Sequence, residues 1–205
     1  MTNDKLIVGG LFALGFAVLG GFYLSSVNGA SAQDYDPRDT GGPYLEIAVE
    51  GAASGEVVID LRDDVAPAHA ERLLTLAEEG AYDGVVFHRV IDGFMAQTGD
   101  VRFGRHGTDL AQAGMGGSEL PDLQAEFSDL PFERGTVGMA RSADPNSANS
   151  QFFIMFDAAP HLNGDYTVVG QVVEGMDVVD AITRGEGQGG TVPDPDRMEA
   201  VRIRE

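Results

Sequence analysis

Phe87-His88-Arg89-Val90-Ile91-Asp92-Gly93-Phe94-Met95-Ala96-Gln97-Thr98-Gly99-Asp100 is the stretch that decides how the rest of the chain is read. The turn at Asp92-Gly93 separates two short apolar-rich runs, 85–91 and 95–98, which read as strands. An arginine therefore stands on one strand, with Phe94, Met95 and Gln97 just beyond the turn. Side chains alternate across a strand, so Met95 and Gln97 share a face, while His88 faces away from Arg89 and reads as structural.

Upstream, Leu45, Ile47 and Val49 alternate with Glu46, Ala48 and Glu50. Val57, Ile59 and Leu61 repeat that period of two after a glycine-bearing turn, which predicts a β-hairpin. Pro67 suits a first helical turn, and Leu73, Leu74, Leu76 and Ala77 follow at helical spacing until Gly80. Downstream, 136–140, 151–155 and 167–173 read as strands, with Gln151 and Phe153 on one face. Residues 176–183 read as a second helix, and Val201 and Ile203 alternate with arginines in a closing strand. About eight short strands with two helices predict a mainly β antiparallel barrel or sandwich, not parallel βαβ units. The stretch 101–135 is long, glycine-rich and without clean periodicity, and a loop of that length usually has a function or covers something.

The chain has 205 residues, 43% of them hydrophobic, enough for one domain with a sizeable core. It has no cysteine, so disulfides, thiolate metal sites and cysteine nucleophiles are excluded. Thirty-three acidic against 13 basic residues give a net charge of −20, the wrong sign for nucleic-acid phosphates, and no basic cluster offsets it locally. Residues 6–24 are uncharged and mostly apolar, although five glycines weaken them as a helix. At about 1.5 Å per residue they just match a hydrocarbon core of roughly 30 Å. Ala30-Ser31-Ala32 then supplies a small-residue cleavage signal before Gln33. The expectation is a signal peptide over 1–32, with an uncleaved membrane anchor as the alternative; either exports the remaining chain, to the periplasm in a bacterial cell. Residues 33–42 have linker composition, and the folded domain is expected over 43–205.

Familiar catalytic constellations are missing: there is no nucleophile elbow, zinc-helix motif, phosphate loop or calcium loop. The four histidines, His69, His88, His106 and His161, are scattered and not spaced as paired ligands, so no metal site is expected. Most carboxylates read as a solvated acidic face.

What stands out is the combination of the opening stretch with Gly135-Thr136-Val137-Gly138-Met139-Ala140-Arg141 and Asn149-Ser150-Gln151-Phe152-Phe153-Ile154. Together with Leu162-Asn163-Gly164 and Val168-Val169-Gly170-Gln171-Val172, these segments resemble the cyclophilin family of peptidyl-prolyl cis–trans isomerases over about 44–204. Met139-Ala140-Arg141-Ser142-Ala143-Asp144 is similar to bacterial exported cyclophilins in particular. The resemblance implies a closed eight-stranded antiparallel β-barrel capped by two α-helices.

The residue chemistry agrees with such an activity. A peptide bond resists rotation by about 18–20 kcal/mol because resonance gives it double-bond character. Twisting it moves no proton and forms no covalent bond, so an apolar pocket for the proline ring and a donor for the twisted amide suffice. Phe94, Met95, Phe153 and Leu162 offer the pocket, and Arg89 is a permanently charged donor. The resemblance implies that Arg89 is catalytic, with Gln97 orienting it or the substrate backbone. It further implies that Ala140 and Arg141 line the groove and that Gln151 adds a backbone contact. His161 stands where better-known members have a tryptophan that contacts cyclosporin, and Tyr166 where they have a histidine lining the proline pocket. Weak cyclosporin binding is therefore expected. Proline-containing polypeptides are the expected partners, of a monomer that uses no cofactor and meets a membrane only through residues 6–24. The alternative from another class is a proline-binding module without turnover.

Overall fold

The structure, a computed structural model, describes residues 39–204. The candidate leader at 1–32 and most of the linker lie outside them. Within them the chain forms β1 (Tyr44–Glu50), β2 (Gly55–Leu61), α1 (Pro67–Glu78), β3 (Val85–Val86), β4 (Arg89–Ile91), β5 (Met95–Thr98), β6 (Thr136–Met139), β7 (Phe152–Met155), β8 (Val168–Glu174), α2 (Met176–Ala181) and β9 (Arg197–Arg204). A 3-10 turn at Pro160–Leu162 completes the described elements. None of the described helices is long and apolar enough to cross a membrane.

All strand pairings are antiparallel, in the order β3-β9-β1-β2-β8-β6-β7-β5-β4. The fold is thus mainly β with two helices, as expected, but the sheet has nine strands where eight were expected. Its curl follows from chain length alone. Nine strands laid flat span about 38 Å at roughly 4.8 Å per neighbour. The outermost strands, β3 and β4, are separated by only Phe87 and His88, a link that reaches about 11 Å at most. The sheet must therefore bend round until its two edges approach.

The same seam explains why 85–91 is not one strand. Val85 and Val86 pair with Met198 and Arg197 of β9, whereas Arg89–Ile91 pair with β5. Between them the Phe87 N–H donates to the Asp196 carbonyl and the Val90 N–H to that of Gly190. The chain changes partner inside a run whose residues Val85, Val86, Phe87 and Val90 are all buried, so no alternation marks the switch.

Leu45, Ile47, Ile59, Leu61, Val137 and Ile154 are fully buried or nearly so inside the curl. Asp60, on the outward face of β2, is buried too, because its carboxylate accepts the Thr40 and Gly42 N–H groups and the Thr40 hydroxyl. Helix α1 packs against β9 with Ala70, Leu73, Leu76 and Ala77 buried. Ala66 supplies no side-chain cap at its N-terminus. Glu126, far along the chain, does so instead: its carboxylate accepts the N–H groups of Ala68 (3.3 Å) and His69 (3.1 Å) and meets His69 Nδ1 at 2.6 Å.

Residues 101–135 contain no strand or helix, as the sequence predicts, yet polar side chains tie them down. The buried Asp100 carboxylate accepts four backbone N–H groups, those of Arg102, Phe103, Gly114 and Gly116, at 2.8–3.1 Å. Arg72 donates to the carbonyls of Pro121 and Asn149. Phe132, near the end of the loop, enters the core beside Met95 and Phe153.

Candidate active site

Registry places the site. Arg89 of β4 lies opposite Gln97 of β5, Gln97 opposite Phe153 of β7, and Phe153 opposite Gly138 of β6. Directly opposed residues of antiparallel strands share a face. A row of four residues therefore crosses the sheet, from a cation through an amide to an aromatic ring and a glycine. Gly138 has no freedom to be larger: a Cβ there would sit 2.5 Å from Phe153 Cζ and 2.6 Å from Phe132 Cε1. The absent side chain lets Phe153 lie down against Phe132, their rings stacked at 5.8 Å.

A hollow of about 170 Å³ opens over this row, lined by Arg89, Phe94, Met95, Gln97, Ala140, Arg141, Phe153, Leu162 and Tyr166. Nine of the residues singled out in the sequence thus surround one cavity. Its floor is apolar, with Met95, Phe153 and Leu162 at least nine-tenths buried, and belongs to the cluster completed by Phe132, Met155, Ala159 and Val168. Among the described residues no carboxylate lines it, so the two guanidinium groups are the charges they present to it.

Arg89 is fixed from two sides. Its Nη1 donates to Gln97 Oε1 at 3.0 Å and its Nε to the Gly189 carbonyl at 3.1 Å. Gln97 Nε2 in turn donates to Gln151 Oε1 at 2.9 Å, and Gln151 Nε2 donates to the carbonyls of Gly114 and Gly116. Gln151 therefore stands behind the hollow and not in its lining, and its carbonyl accepts the Ala140 N–H. His161 is also outside the lining and stacks on Phe94 at 5.7 Å. On the opposite wall the Arg141 guanidinium lies 4.3 Å above the Tyr166 ring and donates to the Asp165 carbonyl, while Tyr166 meets Phe153 edge-on.

The family model for cyclophilin type peptidyl-prolyl cis-trans isomerase/CLD matches residues 44–204. The chain belongs to this family and is an isomerase of that type. A "Probable peptidyl-prolyl cis-trans isomerase" of Brucella suis is 54% identical to this cyclophilin over 194 residues, covering 93% of this chain and 94% of the relative. A peptidyl-prolyl cis-trans isomerase of Arabidopsis thaliana is 37% identical over 139 residues, 68% of this chain and 83% of its own. Among solved structures, a Cryptosporidium parvum cyclophilin type isomerase, crystallised in the presence of the dipeptide Ala-Pro, superimposes with a TM-score of 0.68. It is 24% identical, and the match covers 79% of this chain and 99% of that one.

Two parts of this cyclophilin's site escaped the sequence reading. The Gly189 carbonyl that holds Arg89 belongs to a glycine-rich stretch with no chemistry of its own; only folding brings it to β4. Phe132, which backs Phe153, sits in a segment without periodicity, where Leu123, Phe127 and Leu130 are apolar too and nothing in the sequence sets Phe132 apart.

Proposed function

We propose that this isomerase acts on X-Pro bonds of exported polypeptides and assists their folding, with Arg89 as its catalytic residue. The observation that carries the assignment is the clamped guanidinium at the edge of an apolar hollow, with Gln97 and Gly189 holding it from two sides. The proline ring enters between Phe94, Met95, Phe153 and Leu162, where burial of its methylenes holds it while the preceding carbonyl turns. Twisting removes amide resonance and localises the nitrogen lone pair. A donor that meets the twisted bond better than the planar one lowers the barrier, and a guanidinium already immobilised needs no reorganisation at that moment. Gln97 orients Arg89, while Ala140 and Arg141 seat the residues before the proline. No cofactor takes part in a rotation of this kind.

Export rests on the apolar run 6–24 and the Ala30-Ser31-Ala32 signal, which favour a periplasmic protein released at Gln33 over one held in the inner membrane. Uncatalysed X-Pro isomerisation takes tens to hundreds of seconds and limits folding, so an exported catalyst has work to do. His161 and Tyr166, at positions where better-known members have tryptophan and histidine, leave weak cyclosporin binding as the expectation, and the enzyme is expected to act as a monomer. Two measurements test the reading. The full chain should accelerate cis–trans exchange in an Ala-Pro-Phe peptide, whereas a binding module would show affinity without acceleration. Mass measurement of the protein from a cell fraction should give a species starting at Gln33 outside the cytoplasm; an intact chain confined to the cytoplasm would overturn export.

A further inference from the structure

A second cavity, of about 250 Å³, lies on the far side of the Arg89–Gln97 pair. These two side chains line both cavities, so they form the partition between them. Anything seated over the proline hollow and continuing past Arg89 meets this second space. Leu110, Ala113 and Met115 form one wall, and Thr191 and Val192 another.

Both walls are built, not incidental. Asp100 gathers the N–H groups of Gly114 and Gly116, while Gln151 Nε2 takes the carbonyls of the same two residues. The segment carrying Thr191 is held along β4: the Val90 N–H donates to Gly190, the Val192 N–H to the His88 carbonyl, and Arg89 bridges to Thr191. Gly114, at φ +93°, brings its backbone so close to His88 that a Cβ would stand 3.0 Å from the imidazole.

The lining chemistry is selective. Among the described residues no carboxylate faces the cavity and Arg89 is the one permanent charge in its lining, which disfavours a cationic occupant. The Nε and one Nη1 donor of Arg89 are engaged by Gly189 and Gln97. Its remaining N–H groups are those the isomerase reading gives to the substrate amide, so no other charged donor of the lining is left for an anion. Burial pushes the His88 imidazole below its usual pKa despite Asp100, so it stands there neutral. Met115 is 79% exposed, an unusual state for an apolar side chain, and its flexible thioether adapts to apolar shapes.

We propose that this second cavity is a specificity subsite that receives an uncharged aliphatic side chain from a substrate residue close to the proline. The proposal rests on the isomerase reading above, because continuity through Arg89 and Gln97 is what brings the polypeptide to it. The test uses the full chain and tetrapeptides in which each residue within two of the proline is changed singly to Ala, Leu, Asp or Lys, with kcat/KM measured by exchange spectroscopy. At one position Leu should exceed Ala by about tenfold, as filling an apolar pocket does. Met115→Asp and Leu110→Asp should bring that ratio close to one and leave the ratios at the other positions alone; Met115 is exposed enough for its variant to fold. An active enzyme with no Leu preference anywhere, with a preference that both variants retain, or with a preference for Asp or Lys overturns the subsite and leaves the isomerase reading standing. Absence of turnover on every peptide would overturn the reading beneath it as well.

Discussion

Arg89 and Gln97 face each other across β4 and β5, and that registry makes a mobile side chain into a fixed donor. Gln97→Ala frees one end of the guanidinium while leaving its charge. It should lower kcat/KM roughly tenfold, about 1.4 kcal/mol, the size of one hydrogen bond to a charged group. A kinetic assay in which Gln97→Ala matches the parent would show that Gly189 alone positions the cation. His88, next in the chain, makes a separate prediction. Burial holds its folded-state pKa below the ordinary 6.5, so the unfolded chain takes up the proton first as pH falls. Its neutral form therefore supports the fold above about pH 6.5, and that support is lost on acidification toward its lowered pKa. Urea unfolding from pH 7.5 to 5.5 should show stability falling with pH, and His88→Leu should flatten the slope. An unchanged slope in that variant would assign it to other groups. At this scale alternation put Met95 and Gln97 on one face, and both line the proline hollow. It also set His88 away from Arg89, whereas His88 stands outside β4, where alternation no longer holds, and lines the second cavity together with Arg89. Nothing in the sequence marked the Gly189 carbonyl, because a backbone group has no residue type to announce it.

Whole elements depend on partners that propensity does not reveal. Helix α1 starts at Pro67, as the sequence predicts, but its cap comes from Glu126 in the loop. Glu126→Ala exposes two helix N–H groups and strips the buried His69 ring of its carboxylate. The expected loss is about 1–3 kcal/mol, a drop of several degrees in Tm by calorimetry. Glu126→Gln, which keeps an acceptor, should recover part of it; equal losses would make the charge, not the cap, decisive. Gly138→Ala should cost activity by a different route, since its methyl collides with Phe153 and Phe132. A rise in KM for proline peptides is expected from the displaced Phe153 ring, and an unaltered KM would contradict the packing argument. The hairpin β1–β2 was legible because one of its faces is solvated along most of β1. The split of 85–91 was not, because Val85, Val86, Phe87 and His88 are buried in succession and carry no periodicity across the switch. The 101–135 loop was legible only as irregular, since the side chains of Asp100, Asn149 and Arg72 hold its backbone and such bonds leave no periodic pattern.

For the molecule as a whole, the curl of the sheet is the organising fact. Within it β6, β7, β5 and β4 pair in sequence, so Gly138, Phe153, Gln97 and Arg89 form one row. The strongly acidic surface, at net −20, plays no part in the apolar hollow and its two guanidinium groups. Catalysis should accordingly vary little with salt on uncharged peptides, while binding of basic clients should weaken as salt screens the surface. Salt titration of kcat/KM on an uncharged Ala-Pro peptide checks this, and a steep dependence would mean that long-range charge enters the chemistry. The proposed mechanism requires above all that the clamped guanidinium lower the rotational barrier. The direct measurement is cis–trans exchange of an Ala-Pro-Phe peptide with Arg89→Ala, alongside titration of its peptide affinity. A fall in turnover of about 10²–10³, as expected for removing a donor aimed at the transition state, with affinity nearly kept, is the predicted result. Turnover equal to the parent at equal affinity would contradict it.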